Sequence, residues 1–485
     1  MTQNNVSRRD FLKWTGLGAM TMASGAWTQH SRKPNFLFIL VDDLGWADLA
    51  CYGADLHETP NIDRLASQSV RFTDAYAASP VCTPTRASIM TGKYPARLHM
   101  TVWRESSQNP PMNRKVIPPR TEENLQHDER TLAESLCDAG YYTAHVGKWH
   151  LGDAEHYPQT HGFDADIGAT VWGAPNTFFY PYTGDDRFGD FRYVPGLELG
   201  EPGEYLTDRL TDEAMRIIDK VHDRPFFMHL AYHSVHTPMQ AKEDVVAYYE
   251  KKITPEMNHQ NPVYAAMVHS VDENVGRLLN QLDTLGITDD TVVVFYSDNG
   301  GFINEDRIQK MQVTDNTPLR SGKGCLYEGG IREPLLVRWP GVSAAGSVCD
   351  VPVSSIDLYP TLMEMAQVKG DPDQNAAMDG VSFASLVKNP DAGLDRDALF
   401  WHYPHYYPTT TPVSAVRQED WKLLLYFEDD RVELYNLAED LGEKNDLAPT
   451  MPDKAAALRA LLENWLKETD AQLPVPNPDF GRKKE

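Results

Sequence analysis

The stretch Asn35-Phe36-Leu37-Phe38-Ile39-Leu40-Val41 is a run of apolar residues that ends at the acidic pair Asp42-Asp43. An apolar run without alternation is typical of a strand buried on both faces of a parallel sheet. Four similar runs follow along the chain, separated by segments with helical spacing of apolar residues. This alternation predicts an α/β fold in which helices flank a mostly parallel sheet. The predicted strands cover residues 35–41, 142–146, 226–232, 291–296 and 335–338.

Helix signals separate these strands. Thr131-Leu132-Ala133-Glu134 is a capping box, which predicts a helix that starts there and stops at Gly140. Apolar residues with helical spacing predict two longer helices, over 206–221 and 263–285.

The pattern changes after a polar stretch at 371–379. Short alternating runs then predict a small antiparallel sheet with a hairpin turn at Glu428-Asp429-Asp430, followed by a last helix over 452–469. We therefore expect a catalytic domain over 34–390 and a smaller C-terminal α+β subdomain over 391–485. The alternating runs cover 398–401, 413–418, 421–427 and 432–435.

Composition excludes several classes of protein. With 41% hydrophobic residues among 485, the chain can fill a large core, so global disorder is excluded. A net charge of −25 argues against a nucleic-acid partner, although a local basic pocket could still bind a small anion. Five cysteines form no disulfide scaffold, and their odd number leaves at least one unpaired.

The N-terminus resembles a targeting segment. Ser7-Arg8-Arg9-Asp10-Phe11-Leu12-Lys13 precedes an uncharged, weakly apolar stretch at 14–27. This resembles a twin-arginine signal peptide and predicts that residues 1–30 are removed after export by the twin-arginine machinery of a bacterium, to the periplasm or beyond. The alternative is a basic, unstructured N-terminus. No later apolar run reaches the length of a membrane helix, so no stable span is expected after cleavage.

Acidic and amide side chains follow two of the predicted strands. Asp42-Asp43 comes after the first strand, and Asp298-Asn299 after the strand at 291–296. Ligands gather at the carboxyl ends of parallel strands, and carboxylate and amide oxygens suit Ca²⁺ or Mg²⁺. The two pairs together predict a metal site, whereas either pair alone would be read as an acidic turn.

The segment Cys82-Thr83-Pro84-Thr85-Arg86 is the most specific in the chain. Pro84 suits the first turn of a helix, which places Cys82 at a helix N-terminus, where the partial positive charge favours anions. A cysteine in this position is a candidate nucleophile. A single cysteine is otherwise more often a small buried apolar residue.

This segment, with Thr91-Gly92-Lys93-Tyr94-Pro95 after it, closely resembles the signature of type I sulfatases. The resemblance covers roughly residues 34–440 and implies an alkaline-phosphatase-like fold and the hydrolysis of sulfate esters. Other matching segments, in the order of that family, are Asp42-Asp43, Gly147-Lys148-Trp149-His150-Leu151-Gly152, His233-Ser234-Val235-His236-Thr237-Pro238, Asp298-Asn299-Gly300, Lys323 and Glu433-Leu434-Tyr435-Asn436-Leu437.

The resemblance implies that a formylglycine-generating enzyme converts Cys82 to formylglycine (3-oxoalanine), which hydrates to a geminal diol. One hydroxyl would attack sulfur, and loss of a proton from the other would expel sulfate and restore the aldehyde. The resemblance also implies one Ca²⁺, with Mg²⁺ as the alternative. Its ligands would be Asp42, Asp43, Asp298, Asn299 and residue 82.

The same resemblance implies roles for the basic side chains. Arg86 would hold the diol and the metal ligands, and Lys148 and Lys323 would bind the sulfate oxygens. His150 would accept the second proton of the diol, and His236 would be the general acid for the leaving alcohol. His233 is the residue most easily confused with His236. Without the resemblance, these side chains would be read as surface lysines, structural histidines and a salt-bridging arginine.

The expected substrate is a small sulfated sugar or oligosaccharide of the galactose or N-acetylgalactosamine type. Aromatic rings stack on sugar faces, and polar side chains bind hydroxyl groups. The segment 401–407 could bring the small domain over the pocket, or its aromatic residues could be core packing. Candidate substrate-binding residues are His99, Trp103, Arg104, Trp172, Asn176, Arg187, His402 and His405.

Two alternatives remain open at this point. One is a phosphate or phosphonate ester hydrolase of the same superfamily. The motif around Cys82 and the oxygen-rich metal site argue against the two-zinc phosphatases. The other is a non-catalytic glycan-binding relative in which Cys82 is unmodified. The presence of Lys148, His150, His236 and Lys323 argues against that protein, because a binder need not keep proton donors.

Overall fold

A nine-stranded mixed sheet forms the centre of the computed structural model, which describes residues 33–111, 113–186, 189–307 and 309–481. The strands of the described residues are β1 (Asn35–Val41), β2 (Val70–Tyr76), β3 (Val116–Ile117), β4 (Tyr142–Gly147), β5 (Ala165–Ile167), β6 (Gly184–Asp185), β7 (Phe191–Arg192), β8 (Phe226–Ala231), β9 (Thr291–Ser297), β10 (Arg332–Arg338), β11 (Ser347–Cys349), β12 (Val353–Ser354), β13 (Leu399–Tyr403), β14 (Val413–Gln418), β15 (Trp421–Tyr426), β16 (Arg431–Asn436) and β17 (Val475–Pro476).

The strand order of the central sheet is β11-β2-β10-β9-β1-β8-β4-β5, and β12 also pairs with β2. All neighbouring pairs are parallel except those of β10, which runs antiparallel to both β2 and β9. The mostly parallel sheet predicted from the sequence is therefore confirmed. Strand β2 was missed because its sequence, VRFTDAY, is not an uninterrupted apolar run: Arg71 and Thr73 are half-buried and Asp74 is buried.

Helices cover both faces of this sheet. Alternate residues of β1 belong to two apolar clusters: Leu37 and Ile39 to one, Phe36 and Phe38 to the other. Both clusters are buried, as the uninterrupted apolar run predicted. The α-helices of the described residues are α1 (Pro60–Ser67), α2 (Cys82–Thr91), α3 (Arg104–Ser107), α4 (Leu132–Asp138), α5 (Leu206–Val221), α6 (Glu243–Glu250), α7 (Pro262–Leu285), α8 (Glu328–Ile331), α9 (Leu358–Met365), α10 (Pro372–Ala377), α11 (Ala384–Lys388) and α12 (Pro452–Glu468).

The predicted helix signals are present. Thr131 caps α4: its hydroxyl accepts from the backbone N–H of Glu134 at 3.1 Å, and the Glu134 carboxylate accepts from the backbone N–H of Thr131 at 2.7 Å. Two of the four free N–H groups at the start of the helix are thereby satisfied. The helices expected over 206–221 and 263–285 are α5 and α7.

The C-terminal part forms a second, antiparallel sheet of order β13-β14-β15-β16. Helix α12 packs on it through Trp465, whose ring stacks on Phe400 with centroids 4.8 Å apart. The predicted turn at 428–430 joins β15 and β16. From Pro34 onward the chain forms one compact unit, and the domain boundary near residue 390 stays a prediction.

A buried ionic cluster connects the two sheets. Lys422 of β15 donates to Glu328 of α8 at 2.7 Å and lies 2.9 Å from Glu443, and all three side chains are inaccessible to solvent. The Glu443 carboxylate also accepts from the backbone N–H of Glu328 at 2.7 Å. These contacts fix the start of β10, and with it the segment just before it, against the small sheet.

Among the residues in the described ranges, no helix is long and apolar enough to cross a membrane. The predicted signal peptide, residues 1–30, lies outside those ranges.

Candidate active site

The topology brings the predicted functional segments to one edge of the central sheet. Strands β9, β1, β8 and β4 are adjacent and parallel, so their carboxyl ends lie side by side. Asp298, Asp43, His236 and Lys148 follow these four strands. Strand β10 runs the other way, so the segment before it, which contains Lys323, reaches the same edge.

Residue 82 arrives at this edge on the N-terminus of a helix. Strand β2 is antiparallel to β10 and therefore runs in the direction of β9. Helix α2 begins at Cys82 after Val81, whose backbone is extended, and Pro84 lies in the first turn, as predicted. The Cys82 side chain is buried, and all five cysteines of the chain are free thiols.

Acidic side chains meet beside Cys82. The Cys82 sulfur and one carboxylate oxygen each of Asp42 and Asp298 lie within 4.8 Å of one another. Asp43 and Asn299 join them, because Asn299 Nδ2 donates to Asp43 Oδ1 at 2.8 Å. Oδ1 of Asp42 and Oδ1 of Asn299 are buried without a hydrogen-bond partner among the described residues. Buried, unpartnered oxygens of this kind fit a hard cation such as Ca²⁺.

Three cationic side chains surround the acidic group. Lys148 Nζ donates to Asp42 Oδ2 at 2.7 Å, and Lys323 Nζ donates to Asp43 Oδ1 at 2.5 Å. Arg86, one helical turn after Cys82, donates through Nε to Asp298 Oδ2 at 2.8 Å. All of these side chains are almost completely buried, so the charges interact in a medium that screens them weakly.

The carboxyl pKa values show how uneven this balance is. Burial, opposed by Lys148, raises the pKa of Asp42 well above its ordinary value, with further contributions from the neighbouring carboxylates. Burial also acts on Asp298, but Arg86, Lys148 and Lys323 together outweigh it and lower the pKa of that carboxyl. An additional positive charge beside Asp42 would keep it ionised, which agrees with a cation held at this point.

His150 is held on the other side of Cys82. Its backbone carbonyl accepts from Thr83 Oγ1 at 2.9 Å, and its φ of 59° is unusual for a non-glycine residue. Nε2 of its ring lies 3.4 Å from Glu105 Oε2, whereas Nδ1 is buried without a partner among the described residues. Burial lowers the pKa of His150, which favours the neutral ring. A neutral ring that donates from Nε2 to Glu105 leaves Nδ1 free to accept a proton.

The two histidines after β8 are in different surroundings. His236 Nε2 lies 3.6 Å from Asp43 Oδ2, its Nδ1 lies 2.8 Å from the carbonyl oxygen of Thr237, and its side chain is 19% exposed. His233 is buried, and neither of its ring nitrogens has a partner among the described residues. His236 is therefore the histidine that both reaches the acidic group and contacts solvent.

Residues 34–368 match the sequence profile of the sulfatase family, and residues 321–472 match that of the N-sulphoglucosamine sulphohydrolase C-terminal region. The chain belongs to the sulfatase family.

Relatives of this sulfatase extend over most of its length. A sulfatase of Formosa agariphila is 35% identical and covers 93% of this chain and 94% of the relative. Human N-acetylgalactosamine-6-sulfatase is 32% identical over 82% of this chain and 75% of its own. The solved structure of Ps i-CgsB in complex with k-i-k-neocarrahexaose is 31% identical, with a TM-score of 0.74 over 93% of this chain and 96% of that chain. The chain is a sulfuric ester hydrolase of alkaline-phosphatase-like fold.

Three of the predicted substrate-binding residues are histidines whose rings contact other residues of this sulfatase. His99 Nε2 lies 2.9 Å from the carbonyl oxygen of Asp470, and His402 Nε2 lies 3.0 Å from that of Gln472. His405 Nε2 lies 2.7 Å from Thr101 Oγ1. The ring nitrogens involved are already occupied by these contacts.

The segment 401–407 does extend to the active site. The ring of Tyr407 covers Gly324, where a Cβ atom would lie 1.9 Å from Tyr407 Cδ1, so only glycine fits at that position. Lys323 directly precedes Gly324, and its carbonyl oxygen accepts a hydrogen bond from Thr409 Oγ1 at 2.9 Å. Trp103, another predicted residue, packs edge-on against Tyr407 with ring centroids 5.8 Å apart.

The remaining predicted residues that the structure describes have separate partners. Arg104 pairs with Glu123 at 3.3 Å and lies 3.7 Å from Asp153. Trp172 directly precedes Gly173, which covers the His150 ring, and Asn176 contacts Gly184 of strand β6. Arg187 lies outside the described residues.

Two residues on this side of the site were not predicted. Glu105 contacts His150, and Arg192 Nη2 lies 3.7 Å from Glu105 Oε1. The chain distance of 45 residues between Glu105 and His150 shows no pattern that could have linked them. The position of Glu105 directly after Arg104, which was singled out, was the only available hint.

Proposed function

We propose that this chain hydrolyses sulfate monoesters on sulfated carbohydrates, with residue 82 as formylglycine and one Ca²⁺ in the acidic group. The observation that carries the proposal is the position of Cys82 within 4.8 Å of Asp42 and Asp298 oxygens. Two unpartnered oxygens lie in the same group, one on Asp42 and one on Asn299. Asp42, Asp43, Asp298, Asn299 and residue 82 would hold the metal.

The bound cation would supply positive charge next to the sulfate oxygens, and hydrated formylglycine would supply the nucleophilic hydroxyl. Lys148 and Lys323 would bind the sulfate oxygens when substrate displaces their present carboxylate contacts. Arg86 would keep Asp298 ionised and in place. His150 would take a proton at Nδ1, and His236 would donate one to the leaving alcohol.

The proposed substrate is a small sulfated sugar or oligosaccharide of the galactose or N-acetylgalactosamine type. Two relatives support this class: one is a human N-acetylgalactosamine-6-sulfatase, and the solved neighbour Ps i-CgsB is in complex with k-i-k-neocarrahexaose. The chain carries a net charge of −25, which would repel long polyanions and favours short or terminal sulfated sugars.

We also propose that the protein is exported by the twin-arginine route to the periplasm or the cell exterior. The support for this route is the sequence around Arg8-Arg9. Since that route carries folded proteins, a formylglycine-generating enzyme could modify residue 82 before export. We also propose that the chain is divided into a catalytic domain over 34–390 and a subdomain over 391–485.

Replacing Cys82 tests the nucleophile. The protein is produced in a host that contains formylglycine-generating enzyme, and the peptide with residue 82 is examined by mass spectrometry for an aldehyde in place of the thiol. Cys82→Ser is expected to abolish turnover of a sulfate ester and leave the fold intact. Cys137→Ser, at a helix position away from the site, is the matched control and is expected to keep activity. Near-normal turnover by Cys82→Ser would disprove the mechanism.

A comparison of esters tests the reaction class. The purified enzyme is assayed on sulfate, phosphate and phosphonate esters with the same alcohol, and the sulfate ester is expected to react fastest. Binding of sulfated sugars without any turnover would instead support a non-catalytic glycan binder.

The acid role of His236 has its own test. His236→Ala is expected to lose about 10²- to 10⁴-fold in rate. The loss should be smaller for esters with good leaving groups, which need no proton. An equal loss for all leaving groups would contradict the role.

A further inference from the structure

An aromatic pair lies next to His150. Residues 172–174 pass over the His150 ring so closely that a Cβ atom on Gly173 would lie 2.4 Å from Cε1 of that ring. Trp172, immediately before this glycine, packs against Tyr193 edge-on, with ring centroids 5.3 Å apart. Tyr193 is nevertheless 45% exposed. The two rings thus form an open surface that continues directly from the active site, not a part of the core.

Among the residues that the structure describes, the charged side chains beside this pair are predominantly acidic. Arg192 donates to Asp186 Oδ2 at 2.8 Å and to the carbonyl oxygen of Ala174 at 3.2 Å, and it lies 3.7 Å from Glu105. The positive charge of Arg192 is therefore opposed by two carboxylates, those of Asp186 and Glu105. Burial opposes the charge of Glu105, but its contacts with His150 lower its pKa to about 2, so it is ionised near neutral pH.

The charge of Arg104, the second arginine in this region, is also opposed by carboxylates. Arg104 lies 3.3 Å from Glu123 and 3.7 Å from Asp153, so its charge is also balanced by two carboxylates. This surface therefore differs from the sulfate-binding centre, where three cations face three carboxylates: Lys148 pairs with Asp42, Lys323 with Asp43 and Arg86 with Asp298.

We propose that Trp172 and Tyr193 bind an uncharged sugar unit adjoining the one that carries the sulfate. The proposal rests on the proposed function and narrows its substrate class to oligosaccharides in which the neighbouring unit is unsulfated. The C–H face of a sugar packs on aromatic rings, and ionised Glu105 accepts hydrogen bonds from hydroxyl groups. A second sulfate in this position would meet carboxylates that repel it.

The test compares three substrates: a sulfated monosaccharide, the disaccharide that adds an unsulfated unit, and the same disaccharide with that unit sulfated. The unsulfated unit is placed on either side, and the faster isomer is used. For the wild type, kcat/KM is expected to be highest for the singly sulfated disaccharide and about 10-fold or more lower when the neighbour is sulfated. Equal rates for the two disaccharides would overturn the requirement for an uncharged neighbour.

Variants of Tyr193 test the aromatic surface. Tyr193→Ala is expected to lose roughly 3- to 10-fold more kcat/KM on the singly sulfated disaccharide than on the monosaccharide. Tyr193→Phe, which keeps the ring, is expected to recover that difference. The matched control is Tyr248→Ala, since Tyr248 is 44% exposed on helix α6 and contacts Glu58 instead.

The outcomes separate the two proposals. If Tyr193→Ala loses equally on both substrates, or not at all, the aromatic subsite is disproved while the proposed function stands. If the wild type hydrolyses none of the three sulfate esters, the proposed function itself fails, and the subsite fails with it.

Discussion

Removing the negative charge of Glu105 should impair the proton transfer that we assign to His150. Glu105 Oε2 lies 3.4 Å from His150 Nε2. If His150 takes up a proton at Nδ1, the imidazolium that forms is attracted by this carboxylate. At an effective dielectric constant of about 20, the attraction across that distance is about 5 kcal/mol.

The net effect should be smaller than this Coulomb value. The Glu105 side chain is 27% exposed, and Arg192 lies 3.7 Å from its other oxygen, so water and a second cation both weaken the attraction. A hydrogen bond to a charged group typically contributes about 1.5–3 kcal/mol. Glu105→Gln, which keeps the shape but removes the charge, should therefore lower kcat roughly 10- to 100-fold.

The assay is the pH dependence of kcat and kcat/KM for one sulfate ester, measured for the wild type and Glu105→Gln. Glu105 favours the charged form of His150, so its removal lowers the pKa of that ring. Because His150 must be neutral to accept a proton, the acid limb of the profile should move to lower pH by about one to two units. The fall in kcat and the shift of the limb should appear together.

The control is Glu123→Gln, which removes a carboxylate that pairs with Arg104 but does not contact His150. It should leave the acid limb in place. The reasoning is refuted if Glu105→Gln keeps the wild-type rate and profile, or if Glu123→Gln shifts the limb equally.

Three further predictions concern stability. Lys422→Ala leaves Glu443 buried without its cation, although Glu328 keeps Arg332 at 3.2 Å, and should lower the free energy of unfolding by about 3–5 kcal/mol, measured by urea denaturation. Lys467→Ala, at an exposed position of α12, is the control, and an equal loss there would contradict the argument. Burial would lower the pKa of His259, but the two carboxylates beside it raise that pKa to about 9. The contribution of the charged ring to the free energy of unfolding should be complete below about pH 6.5 and disappear as the pH rises through about 9. His259→Gln should therefore destabilise the protein strongly at about pH 6 and little at about pH 10. Removal of Ca²⁺ by a chelator should lower the melting temperature, and added Ca²⁺ should restore it, because the acidic group then lacks its counter-charge; an unchanged melting temperature and unchanged activity after chelation would argue against a metal.

The sequence determined the central part of the fold because the decisive signals are local. The run from Asn35 to Val41 is apolar on both faces, which a strand between two helical layers requires, and β1 has those bounds. The capping box at Thr131 and the turn after β15 depend on side chains a few residues apart. Strand β2 was missed because its sequence lacks an uninterrupted apolar run. The reversed direction of β10 was not predicted, because β10 pairs with β2, more than 250 positions away.

Within the site, local sequence determined which residues are candidates, and only the tertiary structure decided which of them meet. Cys82 could be placed at a helix N-terminus because Pro84 lies two residues later. The contact between Glu105 and His150 could not be predicted, because it depends on where helix α3 lies relative to the segment that follows β4. The left-handed backbone of His150, which aims its ring, is likewise imposed by surrounding contacts and not by its own sequence.

The same division applies to charge. The sequence gives a net charge of −25 for the whole chain, and that total contains no information about its distribution. Folding places Arg86, Lys148 and Lys323 around one acidic group and leaves carboxylates in excess beside Tyr193. Electrostatic interactions act over a few ångströms of space and not along the chain, so the balanced charges of the site and the excess of carboxylates next to it exist only in the folded protein.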